Sequence, residues 1–517
     1  MAEEKKSRLY AFKPLIERWP AISKPEGHVN FRTKILWTLT CLLLYFLLTN
    51  IMIFGLQSNY LDMFENYRFI MAGASGSIMH LGIGPIVTAS IILQLFVGAN
   101  IINIDLQDPD DKAIYQGFQK ILVFIMIIVE AVPQVFGYLS PSSGLESLLG
   151  GNAALANLII VIQLCMGGFL IFFMDEVISK WGIGSGVSLF IAAGVTQQIF
   201  TGLFSWLPVQ GGGMEALSLN NPPGGVIPGT YYLASEMSLS EITQQGYRTI
   251  FMGNPQIGYV NAIVPLLSFL VIFLFVAYVQ STRIELPLAH GRVRGARGRY
   301  PIKLIYASVI PVILVSALLA NINMFAMLLY RAGDSIPLLG GQWWIGKYDL
   351  TTSTSPLMGG AWYLNKPNGV NSWLLPMLAG GSGGHEPWQF ALRIIIYLFF
   401  LIIGSILFAK FWIDTTNMGP DAVARQIQSS GMQIPGFRRD PRILKRVLKR
   451  YIPIVTVLSG AIVGALAGVS DVIGTVGKTS GTGVLLAVSI ITNLYEEIGK
   501  EQAMEMHPVL RGFFGKE

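Results

Sequence analysis

Apolar residues in this chain come in long unbroken runs, unlike the alternation of a strand or the one-sided stripe of a surface helix. Such runs lie near 35–56, 79–101, 117–138, 153–174, 183–205, 258–280, 303–330, 390–413, 451–470 and 482–498. A membrane-crossing helix needs about 20 apolar residues, so the pattern predicts ten crossings, and an even number puts both chain ends on one side. The pattern breaks at one informative place. Residues 55–72, GLQSNYLDMFENYRFIMA, are too polar to cross a bilayer and too apolar for a solvated loop, and they lead into GASGSIMHLGIGPIVTASIILQLFVGAN, Gly73 to Asn100. This predicts a half-helix that turns back at membrane depth, then a helix that crosses. Interrupted helices are tolerated there only where the freed backbone groups face protein or a water-filled cavity. The half-helix is therefore a candidate pore lining or stopper, and a Pro/Gly-kinked lipid-facing helix is the other reading open to this segment.

Charge gives the runs a direction. Only 13% of the 517 residues are charged, against roughly a quarter in soluble domains, so the chain reads as an all-α polytopic membrane protein. The net charge of +6 is unevenly placed. Basic residues gather in the first 33 positions, in the loop 282–302 and in the loop 414–450, while the alternate loops hold few. Lys and Arg mark the cytoplasmic side, which predicts both termini and the two basic loops to be cytoplasmic. The N-terminal stretch lacks the short apolar core and cleavage site of a signal peptide. Its Leu9, Phe12, Ile16 and Trp19 suit an amphipathic helix at the interface. Arginines interleaved with glycines from Gly291 to Arg299 suit a large anionic partner such as RNA backbone. Five runs on either side of the external loop 206–257 make two halves, 34–205 and 258–499, followed by a tail, 500–517. An odd number per half forces inverted topology, with a site or pore between the halves. A second external loop, 331–389, is Gly-, Pro-, Ser- and Trp-rich like the first.

Little in the sequence carries reaction chemistry. Two cysteines, Cys41 and Cys165, lie in apolar runs as small hydrophobes, and five histidines are too few for a metal cluster. Gly73-Ala74-Ser75-Gly76 echoes the serine element of rhomboid proteases, but His80 is on the same segment and His28, His290, His385 and His507 lie in tails or loops, leaving no neighbouring base. Gly474 to Thr479 echoes a phosphate-binding loop, yet Val472 stands where the spacing wants glycine. Glu130 is the acidic residue well inside a predicted span, whereas coupled ion transport calls for paired carboxylates. The expectation is a passive conduit without enzyme activity, cofactor or metal. An inverted-repeat secondary transporter of small solutes is the alternative.

Four stretches resemble one family: Ser77 to Phe96 (SIMHLGIGPIVTASIILQLF), Phe173 to Phe190 (FMDEVISKWGIGSGVSLF), Tyr300 to Asn321 and Ser480 to Ile498. They are similar to the SecY protein-conducting channels, the archaeal and eukaryotic branch fitting best. The resemblance implies ten helices in two inverted halves around an hourglass pore that opens sideways to lipid. It implies a central translocase subunit passing unfolded secretory chains across the cell membrane and releasing membrane segments sideways. The constriction ring would be Ile83, Val87, Val187, Ile191, Ile313 and Leu486. A plug over 60–72 would include Tyr60, Leu61, Met63, Phe64, Tyr67, Phe69 and Ile70, and a lateral gate would be held by Thr88, Glu130 and Asn321. Arg292, Arg294, Arg297, Arg438 and Arg439 would meet the ribosome. SecE-type and small beta/SecG-type subunits, the signal recognition particle receptor and signal-bearing nascent polypeptides are the other implied partners, with the lipid bilayer around them. Two departures stand out: the external loops are longer than the family pattern, and position 187 holds valine, a slightly smaller ring member than isoleucine.

Overall fold

The computed structural model describes residues 8–27, 29–57, 68–98, 101–102, 104, 108–209, 214–254, 259–290, 297–333, 341–349, 355–416, 418–429, 432–433, 441–476 and 480–506. Ten principal helices follow one another: α1 Phe31–Thr49, α2 Gly84–Gly98, α3 Pro109–Gly137, α4 Ala153–Trp181, α5 Gly186–Phe204, α6 Ile263–Ser281, α7 Ile310–Ala332, α8 Pro387–Thr415, α9 Pro441–Ile473 and α10 Gly481–Met506. Among the described residues eight of these, all but α2 and α10, are long and apolar enough to cross a membrane. α2 is apolar but short, and α10 runs on into a charged stretch ending in Glu496, Glu497, Lys500 and Glu501.

The helices form two five-helix halves. In the first, α4 packs on α1, α3 and α5, and α2 on α3. In the second, α8 packs on α7 and α9, and α10 on α6 and α9. The halves meet where α5 touches α10 and where α2 touches α7. Small residues set the tightest of these packings: a side chain at Gly464 would put its Cβ 2.9 Å from the backbone of Ile402 and Leu401. Close backbone approach of this kind is how membrane helices gain packing without a hydrophobic drive between them.

Several predicted spans end elsewhere than the apolar runs suggested. α1 stops at Thr49 because residues 51–53 leave the helix to pair with 76–78, through Ile53 N–H to the Gly76 carbonyl and Ile78 N–H to the Ile51 carbonyl, both 2.9 Å. α7 begins at Ile310 because the apolar residues 304–309 before it form a turn, with Ser308 at a φ of +60°. β1 (Arg283–His290) and β2 (Arg297–Lys303) are antiparallel, with Arg283 opposite Lys303. Residues 432–433, from the second basic loop, add to β1 as a third strand. Strands from the two basic loops thus form one sheet. Its root is tied to α10 by Glu496, paired with Arg283 at 3.1 Å and Lys303 at 2.6 Å.

The N-terminal segment lies on the same end of the bundle. Tyr10 donates to Asp111 at 2.6 Å, and Trp19 stands edge-on to Phe124, 5.0 Å between rings. At the opposite end the two long loops are built of short elements, including helices Val226–Glu236 and Gly360–Leu364 and paired strands Lys347–Tyr348 and Pro356–Met358. They touch through Asn371, whose side-chain amide donates to the Met252 carbonyl at 3.0 Å.

Candidate functional site

The last residues of the stretch where the apolar pattern broke lie between the two halves. A short helix, Arg68–Met71, precedes a tight turn into α2 and touches α5 and α7. Its end is fixed by backbone bonds. Ile83 N–H donates to the Met71 carbonyl at 2.7 Å, and the Tyr45 hydroxyl of α1 donates to the Ala72 carbonyl at 3.0 Å. Glycine at 82 is obligatory here. Its φ is +55°, and a Cβ there would lie 1.9 Å from the Met71 oxygen. Among the plug residues expected from the sequence, Tyr60, Leu61, Met63, Phe64 and Tyr67 lie outside the described residues, and Phe69 and Ile70 fall in the short helix.

A buried polar cluster secures this segment, and the sequence reading passed over it. Arg68, 7% exposed, donates through Nη1 to the His80 carbonyl at 2.6 Å, and its Nη2 lies 3.2 and 3.1 Å from the two ring nitrogens of His80. Gly76 N–H donates to His80 Nδ1 at 2.9 Å. That bond needs a lone pair on Nδ1, so the ring hydrogen sits on Nε2, 2.9 Å from the Tyr138 hydroxyl. Tyr138 passes its own hydrogen to Gln134 Oε1 at 2.9 Å. The cluster joins the short helix, the turn and α3. His80 had been dismissed for lack of a catalytic partner. The signal was present, however: ionisable residues at membrane depth are costly and mark function by default, and Arg68 and His80 both interrupt an apolar stretch.

All six expected ring residues fall in one apolar cluster, with Ile83, Val87, Ile191, Ile313 and Leu486 buried and Val187 half-buried against them. The family-like stretches explain their placement. Asp175, in the last two turns of α4, accepts the Val187 N–H at 2.9 Å and so fixes the start of α5, which carries Val187 and Ile191. Asp471, at the end of α9, accepts the Thr482 N–H at 3.0 Å and does the same for α10 and Leu486. The expected gate residues lie close together. Asn321 of α7 donates to Thr88 Oγ1 of α2 at 3.2 Å, Thr88 also donates to the Gly84 carbonyl at 3.0 Å, and Glu130 of α3 lies against Gly84, where an added Cβ would sit 3.1 Å from its Oε2. Of the expected docking arginines, Arg297 lies in β2, whereas Arg292, Arg294, Arg438 and Arg439 lie outside the described residues. Among the described residues no group of three or more His, Cys, Asp or Glu is placed to hold a metal ion.

Two five-helix halves packed around an aliphatic core, with a short helix and tight turn held between them, have the architecture of a helical membrane channel. The comparisons with known proteins agree. The SecY family model matches residues 77–495, and the model of the plug domain of Sec61p matches residues 43–76. The protein translocase subunit SecY of Archaeoglobus fulgidus is 45% identical over 513 residues, 99% of each chain, and that of Haloferax volcanii is 46% identical over 98% of this chain and 99% of its own. A solved protein-conducting channel superposes with a TM-score of 0.75 at 36% identity, covering 96% of this chain and 98% of the other. Sec61 in a canine ribosome-channel complex from the endoplasmic reticulum gives 0.72 at 36% identity, with the same coverage. The chain belongs to the SecY family: it is a multi-pass membrane protein and the protein-conducting channel subunit of a Sec translocase. Nothing in these findings favours the small-solute transporter.

Proposed function

We propose that Ile83, Val87, Val187, Ile191, Ile313 and Leu486 are the constriction through which an unfolded polypeptide passes, that 60–72 is the plug, and that the seam between α2 and α7 is the lateral gate. The observation that carries this reading is the Ile83 N–H bond to the Met71 carbonyl, which joins the last residues of the plug to the first residue of the ring. Branched aliphatics grip an extended chain of any sequence without binding it, and a narrow apolar constriction dewets and resists ions. At the gate, interhelical hydrogen bonds in membranes are worth about 1 kcal/mol each, weak enough for an apolar signal segment to displace.

The positive-inside bias supports a plasma-membrane orientation with both termini and the basic sheet in the cytoplasm. That sheet is where we place the ribosome, beside a signal recognition particle receptor that delivers it. SecE-type and small beta/SecG-type subunits complete the assembly, and the role is that of a conduit, not an enzyme. The test is crosslinking. With Cys41 and Cys165 replaced, an Ile313→Cys channel is presented with a ribosome-bound secretory chain stalled in passage and carrying one cysteine. A disulfide at position 313, absent from lipid-facing controls, is expected; no disulfide there, with small solutes shielding the site, overturns the ring.

A further inference from the structure

The loop between α7 and α8 lies on the outer end of the gate helix, and the sequence assigned it no role. Past α7 the chain folds back so that Gly341 N–H donates to the Leu329 carbonyl at 3.1 Å. Tyr348 then inserts against α7. It is 4% exposed, packs with Ala326, Met327, Tyr330 and Ala361, and donates its hydroxyl to the Asn323 carbonyl at 3.3 Å. Asn323 is two residues from Asn321, whose side chain makes the bond to Thr88 across the seam.

The other end of the loop is fastened to the rest of the second half. Trp362 stacks on His385 at 3.8 Å, with the Arg393 guanidinium 4.8 Å from its ring centre and Phe390 edge-on at 5.6 Å. Arg393, on α8, also donates to the carbonyls of Asn365 (3.3 and 3.2 Å) and Lys366 (3.3 Å). Lys366 is buried near Asp471 of α9, where burial pushes its amine below the usual lysine range against the pull of that carboxylate. Gly369 N–H and the Trp373 indole N–H donate to the carbonyls of Asp471 (3.2 Å) and Val472 (3.1 Å). Asp471 itself takes the Tyr397 hydroxyl at 2.8 Å.

We propose that residues 341–349 and 355–378 are a brace that ties the outer end of α7 to α8 and α9, and that Tyr348 is a positioning residue of the lateral gate. The proposal rests on the gate assigned above. Its energetic logic is differential. The Asn321 to Thr88 bond exists only while α7 lies against α2, so whatever misaligns the outer turns of α7 penalises the closed arrangement alone, and only a differential contact shifts such an equilibrium. The brace also decides where the gate parts. α7 is held to its own half by a buried loop and to α2 by a seam with few polar contacts, so opening separates α2 from α7.

The experiment compares two secretory chains in membranes reconstituted with the complete translocase. One carries an intact signal segment, the other a shortened apolar core. The readout is the ratio of their transport, which general loss of folded channel leaves unchanged because both rates fall together. Tyr348→Ala is expected to raise the ratio for the defective signal about fivefold, the scale on which one interhelical bond shifts a two-state equilibrium, and Tyr348→Phe, which keeps the ring, about twofold. A short bis-maleimide link between Thr88→Cys and Asn321→Cys, in a background without Cys41 and Cys165, is expected to stop release into lipid in the wild-type and Tyr348 channels alike. A wild-type ratio in both Tyr348 variants, with the link still blocking, overturns the brace and leaves the gate standing. Unimpeded release with the link in place overturns the gate itself and takes the brace with it.

Discussion

The plug root and the proposed ring lie in direct contact and are made of opposite chemistry. The plug root is held by directional bonds: the Met71 and Ala72 carbonyls, the Arg68 guanidinium and the His80 ring each have a defined partner. The six ring residues contribute apolar surface alone, from four different helices and the turn before α2. An element that leaves and must return to one seat needs register, which hydrogen bonds supply because their strength depends on angle and distance. An element that must close around any passing sequence gains nothing from register. A polar group there would favour some substrates and would hold water, and with it ions, in the constriction.

The largest effect expected from breaking this contrast is at Gly82. Gly82→Val places a side chain onto the Met71 carbonyl at a backbone conformation that β-branched residues avoid, so the plug root cannot seat. Resting ion conductance in planar bilayers should rise at least about tenfold. Next is the polar cluster: Arg68→Ala leaves the His80 carbonyl without its charged donor, a loss of about 1.5–3 kcal/mol for such a bond. A cysteine at Met71 should then become reactive to external thiol reagents while the channel remains folded. Tyr138→Phe should do the same more weakly. In the ring, Ile191→Asn should raise resting conductance, whereas Ile191→Leu should leave it near wild type, since volume-conserving apolar swaps cost little. The smallest effect belongs to the seam. Asn321→Leu removes one bond of about 1 kcal/mol and should relax signal selectivity a few-fold, measured as the transport ratio of intact to shortened signals.

Long-range pairing separates what could be read along the chain from what could not. The ten helices and their order were legible because each apolar run reports its own helix. The ring and gate residues were named through long family-like stretches; the structure puts Asn321 on Thr88 and Glu130 against Gly84, and the ring residues in the shared apolar core. The addition of 432–433 to the hairpin of 283–290 and 297–303 was not legible, because β pairing across more than a hundred residues leaves no local periodicity. Nor was the docking of Tyr348 on α7, where an isolated aromatic in a Gly- and Trp-rich loop looks like any other. Asp471 was not legible for a different reason: it falls just past the apolar run that ends at 470, and its partners Tyr397 and Thr482 belong to other runs. His80 shows the cost of asking one question of a residue: tested as a catalytic base it had no role, whereas as a hydrogen-bond junction it anchors the plug.

The most direct test of the two-part seal is the ion conductance of the reconstituted translocase with and without residues 60–72. With the plug removed, the aliphatic ring alone should pass ions in brief openings while the intact channel stays closed, and polypeptide transport should persist. Equal conductance in the two channels would contradict the account, because the bonded plug would then contribute nothing to the seal.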